Sequence, residues 1–150
     1  MMVGEPEREA GTLAVVRKML LATLGLGILG TGAELILLGH VDSAAQWIPV
    51  AGCGLAVPLL LWHARRPSRA TVTAVRLLMA AFIVSGAVGV GLHYDGNVEF
   101  ERERDPRGSG WPFIRSILTG ATPVLAPGSM VLLGLVGFAQ VYRHPSGLRK

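Results

Sequence analysis

The chain has 150 residues, of which 51% are hydrophobic and only 16% are charged, and its formal net charge is +4. This composition, with its long runs free of charge, excludes an ordinary soluble globular protein and indicates a membrane protein. The basic residues flank the apolar runs, so they predict how the helices are oriented in a lipid bilayer. No nucleic acid is expected as a partner. The single cysteine, Cys53, excludes an intrachain disulfide.

Four apolar runs follow one another along the chain. A helix needs about 20 mostly apolar residues to cross a ~30 Å hydrocarbon core. The runs therefore predict transmembrane helices over residues 19–39, 44–62, 72–92 and 117–139. The predicted fold class is an all-α integral membrane protein, a four-transmembrane-helix bundle that forms one membrane domain over residues 1–150. A polar outer loop is predicted over residues 93–116.

Lysine and arginine are distributed unequally between the two sides of this bundle. Because cytoplasmic segments carry the excess of basic residues, both termini are predicted in the cytoplasm of a multi-pass protein of the plasma (inner) membrane. Tryptophan and tyrosine lie at predicted helix ends, as expected at membrane interfaces. The basic residues of the terminal side are Arg8, Arg17, Lys18, Arg65, Arg66, Arg69, Arg143, Arg149 and Lys150, and those of the opposite side are Arg102, Arg104, Arg107 and Arg115.

The fourth apolar run contains helix-breaking residues. Pro123 and Pro127 each lack a backbone N–H and clash with the preceding helical turn, and Gly128 follows them. The pattern predicts an interrupted helix near the outer half of the membrane. Two interpretations stay open: an ordinary proline kink, or a broken helix that lines a site, since non-helical backbone at membrane depth must face protein or a water-filled cavity.

Several polar residues gather at the predicted outer end of the bundle. Glu34 lies roughly 7–8 Å below the outer end of its helix at ~1.5 Å per residue, and an ionisable residue at that depth is by default a functional candidate. His40 and His93 end the first and third runs, and Tyr94 follows. The four residues predict a proton or ligand site, or a packed polar cluster without a ligand.

The run from His93 to Asp105 is rich in carboxylates. Asp95, Glu99, Glu101 and Glu103 form a candidate acidic site in the outer loop. In an extended strand the three glutamates would share one side, whereas in a helix they would form ordinary ion pairs with the neighbouring arginines. Such oxygen ligands suit a divalent metal ion. A solvated loop without a ligand is the alternative.

The sequence contains no nucleophile elbow, P-loop or other catalytic pattern, so an enzyme is not favoured. The first functional hypothesis is an accessory or interaction subunit with an outer-leaflet polar pocket, bound to a protein partner or to further copies of itself. The second is a proton- or cation-coupled transporter that uses Glu34. Four spans with one membrane glutamate in the first helix resemble small multidrug antiporters in outline. The third is a protein that binds haem or a divalent metal through His40 and His93; otherwise no cofactor is expected.

Overall fold

The computed structural model describes residues 4–120 and 122–148, without the side chains of residues 5–7. The described chain folds into helices joined by short turns. Helix α3 packs against α2 and α5, and α1 also packs against α2 and α5. The helices are α1 (Glu5–Leu37), α2 (Ala44–Arg65), α3 (Arg69–Arg104), α4 (Gly110–Leu118), α5 (Gly128–Val141) and α6 (Pro145–Leu148).

Three of these helices, α1, α2 and α3, are long and apolar enough to cross a membrane. Their outward surfaces carry exposed leucines such as Leu26, Leu55 and Leu77. A soluble bundle would place charged side chains on such faces, whereas lipid favours hydrocarbon. The fold is therefore that of a helical membrane protein, as its composition predicts.

The centre of the bundle is α3, which packs against both α2 and α5. Val75, Met79 and Phe82 of α3 are fully buried. Glycines bring the backbones of α3 and α5 together: a Cβ atom at Gly86 would lie 2.7 Å from the carbonyl oxygen of Pro127. This close approach through small residues is typical of helix packing in membranes.

The polar segment after residue 92 differs from the predicted loop. The helix α3 continues through Arg104, so residues 93–104 are helical and only the remainder of the predicted loop lies outside α3. Glutamate and arginine are good helix formers, whereas Asp95, Gly96 and Asn97 are weak ones, and the segment contains no proline before Pro106. Asp105 precedes Pro106, and a residue before proline disfavours the helical conformation. Helix α3 therefore ends immediately before the first residue pair, Asp105 and Pro106, that strongly disfavours the helical conformation.

The fourth apolar run, residues 117–139, is interrupted as Pro123, Pro127 and Gly128 predict, and only its second part forms a long helix. Helix α4 ends at Leu118, residues 119–127 are non-helical where they are described, and α5 begins at Gly128. Pro123 and Pro127 lie in this connector, where they remove helical hydrogen bonds. Helix α5 has 14 residues and spans about 21 Å at ~1.5 Å per residue, which is shorter than a ~30 Å hydrocarbon core.

Candidate functional site

The helical continuation of α3 sorts its polar residues onto two faces. His93, Asn97 and Glu101 are four residues apart, so they lie on one side of the helix. That side faces α4 and the connector 119–127. We call residues 93–104, α4 and the connector 119–127 together the polar cap.

Asn97 holds the polar cap together. It is 2% exposed, and its side-chain amide donates to the carbonyl oxygens of Ile117 at 2.8 Å and Thr122 at 2.7 Å. Its side-chain oxygen accepts hydrogen bonds from the backbone N–H of Thr122 at 3.1 Å and from the Thr122 hydroxyl at 2.7 Å. One side chain thus satisfies backbone groups that the broken helix leaves free, as burial requires.

His93 makes the second contact between α3 and the connector. Its Nδ1 atom lies 3.0 Å from the carbonyl oxygen of Pro123. Because a carbonyl oxygen only accepts, Nδ1 carries a proton, and Nε2 of the neutral ring is left as an acceptor or ligand. The ring of His40, in the turn after α1, lies 6.4 Å from that of His93 between centroids. Two of the four predicted outer residues are therefore neighbours.

The other two predicted residues lie apart from this pair. Glu34 is exposed on the outward surface of α1, and Tyr94 is 42% exposed. Within residues 4–120 and 122–148, no three histidine, cysteine, aspartate or glutamate side chains converge closely enough to hold a metal ion. A divalent metal at His40 and His93 would thus need water or another molecule as further ligands, whereas haem iron takes only two axial ligands.

The candidate acidic site is divided by the helix. Glu101 is 5% exposed and lies on the inner face, whereas Asp95, Glu99 and Glu103 are exposed on the opposite face. The difference arises because residues two apart on a helix point in nearly opposite directions. We call Asp95, Glu99 and Glu103 the acidic stripe. Among the residues that the structure describes, the one carboxylate in an ion pair is Glu101, 3.7 Å from Arg104.

Helix α4 is amphipathic and lies against the end of α3. Its Ile117 is buried, and the Phe113 ring packs under the Arg102 guanidinium at 4.7 Å from the ring centroid, a cation–π contact. Trp111, Ile114 and Leu118 are exposed on its other side. The polar cap therefore presents both carboxylates and large apolar side chains on its surface.

A second polar cluster lies at the opposite end of the bundle, where the sequence places His63 and His144 at the ends of predicted helices; the hydrogen bonds within it were not predicted. The buried His63 donates from Nδ1 to the hydroxyl oxygen of Thr71 at 3.0 Å, since that hydroxyl donates to Ser68. Its Nε2 lies 3.4 Å from the side-chain nitrogen of Gln140. The side-chain oxygen of Gln140 is buried and accepts no hydrogen bond from the described residues.

His144 completes this cluster from the segment between α5 and α6. Its ring lies 5.1 Å from that of His63 between centroids. Burial, and secondarily the nearby Arg17 guanidinium, lowers the pKa of His144. Arg17 also donates to the carbonyl oxygens of Tyr142 and Arg143. The cluster therefore ties the start of the apolar part of α1, the end of α2 and the end of α5 together at one end.

No family of known proteins, no curated protein and no solved structure matches this chain. The fold and the site define the protein as a helical membrane protein with a polar cap at one end of its bundle.

Proposed function

We propose that the protein is a non-enzymatic accessory subunit of the plasma membrane whose acidic stripe binds a basic surface of a partner protein. The observation that carries this proposal is the arrangement of Asp95, Glu99 and Glu103. They lie one helical turn apart on an exposed face, and none has an ion-pair partner among the described residues. Like charges at this spacing destabilise a helix by about 0.2–0.5 kcal/mol per pair, and a basic partner would relieve that repulsion.

The proposed topology places the stripe outside the cell. We propose four crossings, with α1, α2 and α3 as three and α5 with the connector 119–127 as the fourth, so that both termini are cytoplasmic. The contacts of Arg17 with the carbonyl oxygens of Tyr142 and Arg143 support this arrangement, because they join the two ends of the chain at one side. The excess of basic residues near those ends supports a cytoplasmic position.

The construction of the polar cap supports a binding role. The four hydrogen bonds of Asn97 and the bond of His93 hold the connector against α3. A surface that is ordered before binding loses less conformational entropy when a partner binds. Charge of one sign on such a surface accelerates association and discriminates between partners.

Charge reversal at the centre of the acidic stripe is expected to abolish capture of the partner. We expect tagged Glu99→Lys protein, purified in mild detergent from its native membranes, to lose the proteins that co-purify with the unchanged chain. Capture by the unchanged chain is expected to fall as salt rises, because salt screens exposed charges. Quantitative mass spectrometry of the eluates measures both effects.

The matched control for this experiment is Asp42→Lys, which makes the same charge change at an exposed residue in the turn after α1. We expect Asp42→Lys to retain the partner. Equal capture by Glu99→Lys and the unchanged protein would contradict the proposal. Equal loss in both variants would also contradict it, because net charge and not the acidic stripe would then govern binding.

A further inference from the structure

Three arginine side chains gather around the end of α5, at the end of the bundle opposite the polar cap. Arg17 of α1 donates from Nη2 to the carbonyl oxygens of Tyr142 at 3.3 Å and Arg143 at 3.2 Å. Arg76 of α3 donates from Nη2 to the carbonyl oxygen of Val141 at 3.4 Å. The Arg143 guanidinium lies 5.8 Å from the centroid of the Tyr142 ring. Three guanidinium groups from separate parts of the chain are thus held against the same three residues, and we call them the arginine cluster.

No carboxylate of the described side chains lies within ion-pair distance of the arginine cluster. The ion pair that these side chains form, Glu101 with Arg104, lies at the opposite end of the bundle. Glu9 is the described carboxylate nearest to Arg17 along the chain, and it lies eight residues away, about 12 Å along α1. The carbonyl end of α5 contributes about half a negative elementary charge, against three full positive charges. An anion is therefore the group that would complete this cluster.

The arginine cluster also has hydrogen-bond donors to offer. A guanidinium has five N–H donors. Within the described residues, Arg17 and Arg76 each use only Nη2 in their hydrogen bonds to the end of α5, and the Arg143 guanidinium contacts an aromatic ring. The remaining N–H groups suit an anion with several oxygens, and a guanidinium pairs with phosphate through two parallel N–H···O bonds. Phosphate is therefore the anionic group that fits the cluster.

The arginine cluster lies at the level where lipid headgroups are expected. Tyr142 is 66% exposed, and Trp62, which precedes the buried His63 at the same end of the bundle, is 53% exposed. Exposed tyrosine and tryptophan are typical of the membrane–water interface. Leu77, which follows Arg76 directly, is 68% exposed, so the cluster borders an apolar surface that suits acyl chains. A phosphate with hydrocarbon attached, at this level, is that of a phospholipid.

We propose that the arginine cluster binds the phosphate of an anionic phospholipid whose acyl chains lie along the adjacent apolar surface. Basic pockets between transmembrane helices are a general mode of recognising such headgroups. A choline phospholipid carries a phosphate as well, but its ammonium cancels the net charge, so it competes poorly for three guanidinium groups. The site shares no residue with the acidic stripe or the polar cap. Its failure would therefore leave the proposed function standing.

The test uses the full chain in lipid nanodiscs that contain equal amounts of phosphatidylglycerol and phosphatidylcholine with the same acyl chains. Native mass spectrometry of protein released from the discs measures the ratio of the two lipids that stay bound. We expect this ratio to favour phosphatidylglycerol by about tenfold, which corresponds to roughly 1.4 kcal/mol.

Arg143→Gln and Arg17→Gln are the test variants. A basic residue beside an anionic lipid surface contributes about 1 kcal/mol, or about fivefold in affinity, so each variant is expected to lower the ratio about fivefold. The unfolding temperature in pure phosphatidylcholine discs checks the fold, and the exposed Arg143 alone decides the test if Arg17→Gln lowers that temperature. Arg66→Gln is the matched control, since it removes an exposed positive charge from the turn between α2 and α3, and it is expected to keep the ratio.

Equal retention of the two phospholipids by the unchanged protein would overturn the proposal, and so would a preference that the cluster variants leave unchanged. An equal fall in Arg66→Gln would overturn it as well, because diffuse positive charge and not the cluster would then attract the lipid. Inorganic phosphate added to phosphatidylcholine discs tests the occupant, and we expect it to leave the unfolding temperature unchanged. A rise as large as the one that phosphatidylglycerol produces would overturn the lipid assignment, since a soluble anion would then fill the site.

Discussion

Replacement of Asn97 by alanine is expected to lower the free energy of unfolding by about 2–4 kcal/mol. The change removes four hydrogen bonds from a side chain that is 2% exposed. It leaves the backbone N–H of Thr122 and the carbonyl oxygen of Ile117 without that partner. Groups buried without a partner cost about 1–3 kcal/mol each. Unfolding by heat or by denaturing detergent in micelles measures the loss.

Two variants bracket the result for Asn97. Asn97→Asp keeps the two accepted hydrogen bonds but turns a carboxylate oxygen toward the carbonyl oxygens of Ile117 and Thr122, so a loss at least as large as that for Asn97→Ala is expected. Gly96→Ala changes the neighbouring residue, where an added Cβ has no neighbour within 4 Å. That variant is expected to leave stability unchanged or to raise it by up to about 1 kcal/mol. A loss for Asn97→Ala no larger than that for Gly96→Ala would contradict the role given to Asn97.

Replacement of Gly134 by alanine is expected to destabilise the packing of α3 against α5 by about 1–3 kcal/mol. An added Cβ would lie 2.7 Å from the backbone oxygen of Met79 and 2.5 Å from a side-chain carbon of Ile83. The backbone oxygen has no rotamer by which to move away, so the two helices must separate. The midpoint of unfolding in detergent measures the effect, together with the retention volume of the monomer in size-exclusion chromatography.

Gly54→Ala is the control for this prediction. Gly54 lies within α2, and a Cβ atom there has no neighbour within 4 Å. We expect the alanine variant to be as stable as the unchanged protein or slightly more stable, because alanine favours a helix over glycine. If Gly54→Ala and Gly134→Ala have the same midpoint of unfolding, the backbones of α3 and α5 are not in close contact at Gly134.

The membrane class and the long apolar helices could be predicted because hydropathy is a property of each segment alone. The extent of α3 could not be predicted from hydropathy, which separates apolar from polar residues and carries no information on where a helix ends. The spacing of His93, Asn97 and Glu101 is the signal that was available. Three polar residues four apart indicate one helical face, whereas the alternation of Glu99, Glu101 and Glu103 suggested a strand.

The break in the fourth apolar run was indicated by Pro123 and Pro127, but what stabilises the broken segment was not. The partner, Asn97, lies 25 residues earlier in the chain. The same holds for His63 and Gln140, which are separated by 77 residues. Their proximity depends on how the helices pack, and no local pattern of a single sequence encodes it. The polar residues at both ends are therefore visible in the sequence, whereas which of them contact one another is not.

The two faces of the helix formed by residues 93–104 have different roles. The inner face supplies Asn97, which holds the connector, and the buried Glu101. The outer face supplies the acidic stripe. Because both faces belong to one helix, a partner bound to the acidic stripe would act on the same segment that holds the connector.

Residues 93–104 continue α3 as a helix with a buried and an exposed face. Single cysteines introduced one at a time from Tyr94 to Arg104, in a Cys53→Ala background, test this arrangement through their rates of reaction with a membrane-impermeant maleimide on intact cells. Fast labelling is predicted at positions 95, 99 and 103, and slow labelling at positions 97 and 101. Uniform labelling, or fast labelling at 99, 101 and 103 alike, would contradict a helix with one buried and one exposed face.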